Sequence, residues 1–411
     1  MARLNVEELK NEPHQLQRGL PTYSTGNHPA VSRLTTHRQR RSASATPKGP
    51  TPHNANDRNK AVDNGGFDPE NLPHRKHRDS FDASKHTKHP KFWFYDGSIV
   101  LNVEDTLFRV HKTILATHCE VFDTVFSIPQ QASLKEERIE ECAVVNLTGD
   151  KAEDVNDLLN ALYFSSHFDQ LHVPEAEPDA MLKFVSGILR LSTKYLNHTL
   201  RKKCISILHS YIPVTFEEYK QHAARSLRRF KSDTLMACAR LAQETNVPTI
   251  LPYLFYCIAR LSPQRILKGD PGDICWRDKT ICQIGRERLR HAEMSMSHSF
   301  LLAFVPAAKC KTIFLCSAAR GPHAAWHSLE GSGKSSNPLK EFGKWKDLNV
   351  CEECIEFCKD AHKEGRTAVW ECLPALFEME RWEVLKKRED ETLCEDADTK
   401  EDSLQDTEQP K

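Results

Sequence analysis

No stretch of this sequence is long and apolar enough to cross a bilayer, which takes about 20 consecutive predominantly apolar residues. The strongest candidates, "LPYLFYCIA" and "SFLLAFVPAA", are short and carry prolines. The opening "MARLNVEELKNEPHQ" has no continuous apolar region behind its first charges, so no secretion signal is expected. Overall charge of either sign is missing too: 57 Lys and Arg balance 57 Asp and Glu. Signatures of catalysis are absent. No nucleophile motif accompanies a histidine and no paired carboxylates stand out. "GSGKSS" resembles half of a phosphate loop, but the first glycine of that motif would fall on Ser328, and "HAAWHSLE" is not a strand. An enzyme is therefore not expected. Without a secretion signal, the 14 cysteines are expected as reduced thiols or a metal site rather than disulfides. The sequons at Asn146 and Asn197 then carry no meaning, and the expected location is intracellular, cytoplasmic or nuclear.

What is present is a folded middle between two tails. The 411 residues suggest two or three domains, with 39% apolar and 28% charged residues. Residues 1–90 hold 15 Lys and Arg against 9 Asp and Glu; residues 389–411 hold 10 Asp and Glu against 2 Lys and Arg. Residues 1–90, with "TTHRQRRSASATPKGPTPHNANDRNKAVDNGG", read as a disordered basic tail that cannot offset its ordering entropy by burial. The Arg38–Arg41 cluster, followed by Ser42, reads as part of that solvated tail, with a phosphorylation, nuclear-import or nucleic-acid site as the alternative. Residues 389–411 read as a disordered acidic tail.

Order is expected from residue 91. "KFWFY" is rich in β-formers, Asp96-Gly97 is a turn, "SIVLNV" is a strand, and "TLFRV" completes a hairpin across Glu104-Asp105. The apolar period then changes within "TLFRVHKTILATHCEVF": it alternates to Val110 and becomes helical from Ile114. Ile114, Leu115, His118, Phe122, Val125 and Phe126 fall on one face, in one or two helical pieces. "PQQASLKEERIEECA" reads as a polar connection and "VVNLT" as a strand. Asp150 with Glu153 offers a capping-box start for a helix facing inward through Val155, Leu158, Leu159 and Leu162. Two more helices follow, one striped by Leu182, Val185, Ile188, Leu189, Tyr195 and Leu196, the other running from Leu200 to Tyr211. Strands feeding a set of helices predict an α+β fold over 91–212.

These residues resemble the BTB/POZ domain. The likeness is carried by Asp96, the strand to Val103, and "LFRVHKTILATHCEVFDTVF", where Leu107, Phe108, His111, Lys112, Leu115, Phe122 and Phe126 match the family motif. "VVNLTGDKAEDVNDLLNALYF" resembles its third strand and following helix. Together with "RTAVWECLPALFEMERWEVL", the sequence is similar to a large group of fungal BTB-domain proteins. The resemblance implies a structural role for His111 at the strand–helix corner and for Cys119 in the core. It implies protein partners, self-association among them, and in some members recruitment by a cullin-type ubiquitin ligase. The segment "HRDSFDASKHTKHP" lacks the apolar stripe of the helix that seals many BTB dimers. Shorter BTB-like domains without that helix, such as elongin C, bind other proteins. "FSIPQQASL" lacks the cullin-contact pattern. The expected role is a non-enzymatic scaffold or regulatory adaptor, with a ubiquitin-ligase adaptor or a nuclear transcription-associated regulator as alternatives. Specific nucleic-acid binding is not expected.

Residues 213–388 read as a mostly α-helical C-terminal region. "SDTLMACARLAQETN" starts at a Ser232 or Asp233 cap, "PYLFYCIARL" is a buried helix, and "DKTICQIGRERLRHAEMS" is amphipathic through Ile281, Ile284 and Leu289. "GSGKSSN" reads as a loop. Trp370, Leu373, Phe377 and Trp382 are expected to pack a final helical piece. Cys351 and Cys354 form a Cys-x-x-Cys knuckle, and Cys310 and Cys316, separated by "KTIFL", could complete a structural zinc site with Cys358 or His362 as substitutes. The other reading is equally physical: Cys351, Cys354 and Cys358 share one helix face and could be buried thiols.

Overall fold

The computed structural model describes residues 85–128, 137–171, 176–224, 230–268, 273–330 and 335–394. The expected basic tail up to residue 84, including Arg38–Arg41, lies outside the described residues. So do the acidic segment beyond Cys394 and residues 331–334 of the "GSGKSSN" loop.

Five strands make one sheet in the order β1-β3-β2-β5-β4. The strands are β1 (Thr87–Trp93), β2 (Ile99–Val103), β3 (Thr106–Val110), β4 (Arg138–Ile139) and β5 (Cys142–Asn146). β1 begins at Thr87, ahead of the expected start at residue 91. It pairs parallel with β3, so the Asp96-Gly97 turn does not pair the strands on either side of it. The expected hairpin is β2 with β3, antiparallel from Ile99 opposite Val110 to Val103 opposite Thr106. β5 lies parallel to β2 on its other side. β2 is therefore central and covered on both faces. Ile99, Leu101 and Val103 enter the main core, while Val100 joins Leu107 and Cys142 on the opposite face. That accounts for an almost unbroken apolar strand. β4 is a two-residue strand inside the connection read as polar, paired with β5.

The period change at His111 marks the handover from β3 to α1 (Lys112–His118), followed by α2 (Glu120–Ser127). Cys119 between them is extended, with φ −136° and ψ 108°. That break turns α2 off the face of α1. Leu115, Cys119 and Phe122 are buried, whereas His118 and Val125 of the expected single face are exposed. α3 (Ala152–Tyr163) buries Val155, Leu158 and Leu159. Its expected capping box is not formed. Asp150 is buried and accepts from the Tyr195 hydroxyl and from Lys194 Nζ at 2.6 Å. The Ala152 N–H instead donates to Glu104 Oε2 at 3.0 Å. A buried carboxylate needs partners more than an exposed helix end needs a cap. α4 (Pro178–Lys194) packs against α3 on one side and α5 (His198–Tyr211) on the other, with Asn197 accepting from the Leu200 N–H at 2.9 Å as the α5 cap. Leu196 of the expected stripe is 40% exposed.

The helical region continues with α6 (Phe216–Ala224), α7 (Ser232–Glu244), α8 (Leu251–Ala259), α9 (Pro263–Leu267) and α10 (Trp276–Ala292). Ser232 and Asp233 do not cap α7. They lie in its first turn and accept from Arg265 of α9. Along α10, Ile281 and Leu289 are buried and Ile284 is exposed. One continuous core cluster includes Phe92 of β1 and Trp382 near the C-terminus. α16 (Trp382–Cys394) closes it, with Trp382 stacked on Trp370 at 5.4 Å. Glu389, expected at the start of a solvated tail, is instead only 4% exposed. It accepts from Thr249 Oγ1 at 2.6 Å and sits 3.1 Å from His209 Nε2 of α5. The helix continues there because its inner face still meets α5.

Candidate metal centre

After α10 the chain makes a π-helical turn, Glu293–Ser297, and a short helix, α11 (Ser299–Leu302). A loop leads to α12 (Ile313–Ser317) and α13 (Gly321–Glu330), and further on come α14 (Glu352–Glu371) and α15 (Leu373–Leu376). Two close backbone approaches set this arrangement. A Cβ on Gly365 of α14 would meet Met296 O of the π turn at 2.4 Å; one on Gly321 would meet Leu348 O at 2.0 Å. Either substitution would push an element away.

The two cysteine pairs meet at the start of α14. The sulfurs of Cys310, Cys316, Cys351 and Cys354 all lie within 4.8 Å of one another, with Cys310 and Cys351 3.6 Å apart. Cys310, Cys316 and Cys354 are buried and Cys351 is half-buried. Two backbone amides point at sulfur: Ala307 N–H donates to Cys354 and Cys351 N–H to Cys316, both at 3.3 Å. The Thr312 hydroxyl lies 3.4 Å from Cys316 Sγ. Amides directed at sulfur support thiolate rather than thiol. The Cys354 amide, with the neighbouring thiols, draws Cys351 down to about 7, while burial pushes Cys354 up to about 12. Four thiols this close can hold a metal ion.

The two substitute ligands lie elsewhere. Cys358 is one turn further along α14, in a separate apolar cluster with Phe300, Trp326 and Leu348. His362 uses both ring nitrogens: Nε2 accepts from the Phe342 N–H at 3.0 Å and Nδ1 contacts Ser297 O at 2.6 Å. The Cys-x-x-Cys knuckle singled out Cys351 and Cys354, whereas the spacing of Cys310 and Cys316 is wider than that of a usual ligand pair, and the amides of Ala307 and Cys351 had no signal in the sequence. Nor did the exposure of the segment between the first two thiols, where Ile313, Phe314 and Leu315 are 55%, 92% and 74% exposed.

The residues singled out around His111 form a second constellation. Phe108 and Leu115 are fully buried, and Phe122 stacks on Tyr195 at 4.4 Å and on Phe126 at 5.7 Å. His111 is held on both sides. Its Nδ1 lies 2.9 Å from the Tyr163 hydroxyl, which also accepts from the His111 N–H at 3.0 Å. Its Nε2 lies 3.3 Å from Asp96. The Lys112 N–H donates to Ser98 Oγ at 2.9 Å, and its ammonium lies 5.6 Å from the Phe126 ring centroid. This arrangement ties β3, α1 and α3 together. Tyr163, 52 residues away, was not identified from sequence because the pairing is non-local.

A model of the BTB/POZ domain matches residues 96–211, which contain this corner. No curated protein matches the chain. Among the described residues, no helix is long and apolar enough to cross a membrane.

Proposed function

We propose that this chain, whose residues 96–211 are a BTB/POZ domain, is a non-enzymatic protein–protein interaction protein. In this reading it is a scaffold or regulatory adaptor whose BTB domain associates with a second copy of itself. The match over 96–211 carries the reading, because a BTB/POZ domain indicates protein–protein interaction. The core shared from Phe92 to Trp382 supports treating the helical region as a fixed extension of that domain. Two differently tagged full-length copies, co-expressed, test the self-association. Each tag retrieves both copies if the proposal holds; retrieval of only the tagged copy would overturn it.

The four-cysteine centre adds a structural element. In this proposal it holds one zinc ion that fastens the segment between α11 and α13 to the start of α14. Zinc with four thiolate ligands is tetrahedral, and bonds of about 2.3 Å give sulfur–sulfur edges of about 3.8 Å. The sulfur spread of up to 4.8 Å and the 3.6 Å Cys310–Cys351 pair fit that tetrahedron with small adjustments. The bound ion would supply charge neutralisation for four clustered thiolates. The amides of Ala307 and Cys351 would orient two of the sulfurs.

A further inference from the structure

Among the described residues, the buried Lys279 and Arg366 and the half-buried Arg265 and Arg286 have visible partners. Lys279 and Arg265 share Asp273, Arg366 donates to Leu339 O at 2.9 Å, and Arg286 donates to Ala259 O at 2.8 Å and to Leu261 O. Arg260, at the end of α8, differs. Its guanidinium lies over the Tyr256 ring, 5.1 Å from the centroid. Its Nε is buried without a hydrogen-bond partner, and no carboxylate among the described residues pairs with it. The side chain is half-buried, and a donor buried without a partner is unfavourable. An acceptor entering the cavity could complete that donor.

Arg260 lines a cavity of about 640 Å³, within the size range of small-molecule sites. The exposed Lys340 and Lys344 stand on its wall, with the carboxylates of Glu287 and Glu341 beside them. Glu293 is already committed, accepting from Ser336 Oγ at 2.6 Å and from the Asn337 N–H at 3.1 Å. It sits in the π-helical turn, a local geometry frequent at functional sites. Trp326 and Phe342 supply aromatic surface on the same cavity. The cavity thus joins an arginine with an unpartnered donor to an apolar wall.

We propose that this cavity binds an organic anion, its phosphate or carboxylate head on Arg260 and its apolar body along Trp326 and Phe342. The head is recognised by the guanidinium, which pairs well with either oxyanion. Titration calorimetry of the full chain at low salt tests this with phenyl phosphate and phenylacetate, against benzyl alcohol and inorganic phosphate. At least one organic anion is expected to bind saturably, roughly tenfold more tightly than benzyl alcohol or inorganic phosphate. Arg260→Met is expected to weaken that anion by about tenfold or more while melting no lower than the wild type, since it removes a buried donor that has no partner. Lys340→Gln should weaken it by a smaller factor. Failure of both organic anions to saturate, or equal affinity for benzyl alcohol, would overturn the site. Unchanged binding by Arg260→Met would do so as well. An Arg260→Met chain that melts lower or does not fold would show Arg260 to be structural and would equally overturn it. Inorganic phosphate binding as tightly as phenyl phosphate would remove the apolar body from the proposal.

Discussion

Cys354 and Cys358 lie one turn apart on α14, and both are buried, at 0% and 1% exposure. Only Cys354 belongs to the four-sulfur cluster. Replacing each by serine separates a ligand from a core thiol. Serine at 358 places a hydroxyl among Phe300, Trp326 and Leu348, a loss of about 1–3 kcal/mol. Serine at 354 brings a similar burial penalty and also removes one of four ligands. If free zinc stands a thousandfold above its dissociation constant, the linked stabilisation is about 4 kcal/mol. Cys354→Ser should therefore lose about 5–7 kcal/mol when zinc is present. Urea unfolding followed by tryptophan fluorescence measures both, in zinc and in excess chelator. In chelator the two variants should converge, and wild type should fall toward them. Equal losses with zinc present, and no metal in the wild type, would return all four sulfurs to the role of core thiols.

Other expectations follow from the same geometry. Tyr163→Phe removes both contacts of the hydroxyl with His111 and should lower stability by about 1–2 kcal/mol in urea titration; no loss would dissociate that corner from the domain's stability. Phe377→Ala empties a fully buried site packed on Gly285 and should lose about 3–5 kcal/mol, read as a lower urea midpoint. Phe314→Ser, at 92% exposure, should change stability by no more than about 0.5 kcal/mol on the same assay. Burial holds His298 down at about 3, against about 6.5 when unfolded. The unfolded chain then binds the extra proton between those values, so the contribution is complete above pH ~6.5 and declines as pH falls toward ~3. Between pH 7 and 5 wild type should lose about 2 kcal/mol more than His298→Gln; parallel losses would refute the assignment.

The parts legible in the sequence are those governed by local periodicity. The β2–β3 hairpin, the helical onset after His111 and the stripe of α4 each follow from the spacing of their own apolar residues. Cys310, Cys316, Cys351 and Cys354 could be singled out because a metal-binding knuckle has a local signature. What failed depends on partners far along the chain. β1 pairs parallel with β3 rather than with its neighbour across Asp96-Gly97. Asp150 is taken by Tyr195 and Lys194, and the cap it was expected to supply comes from Glu104. Ser232 and Asp233 are engaged by Arg265. Glu389 reads as part of an acidic run, yet Thr249 and His209 wait for it on the packed face of α16. Composition cannot distinguish a solvated carboxylate from one that finds buried donors.

Native mass spectrometry of the full chain at micromolar concentration tests the central claim most directly, because it reads assembly and metal together. The account predicts a mass of two chains with one zinc ion for each. A metal-free single chain would contradict it.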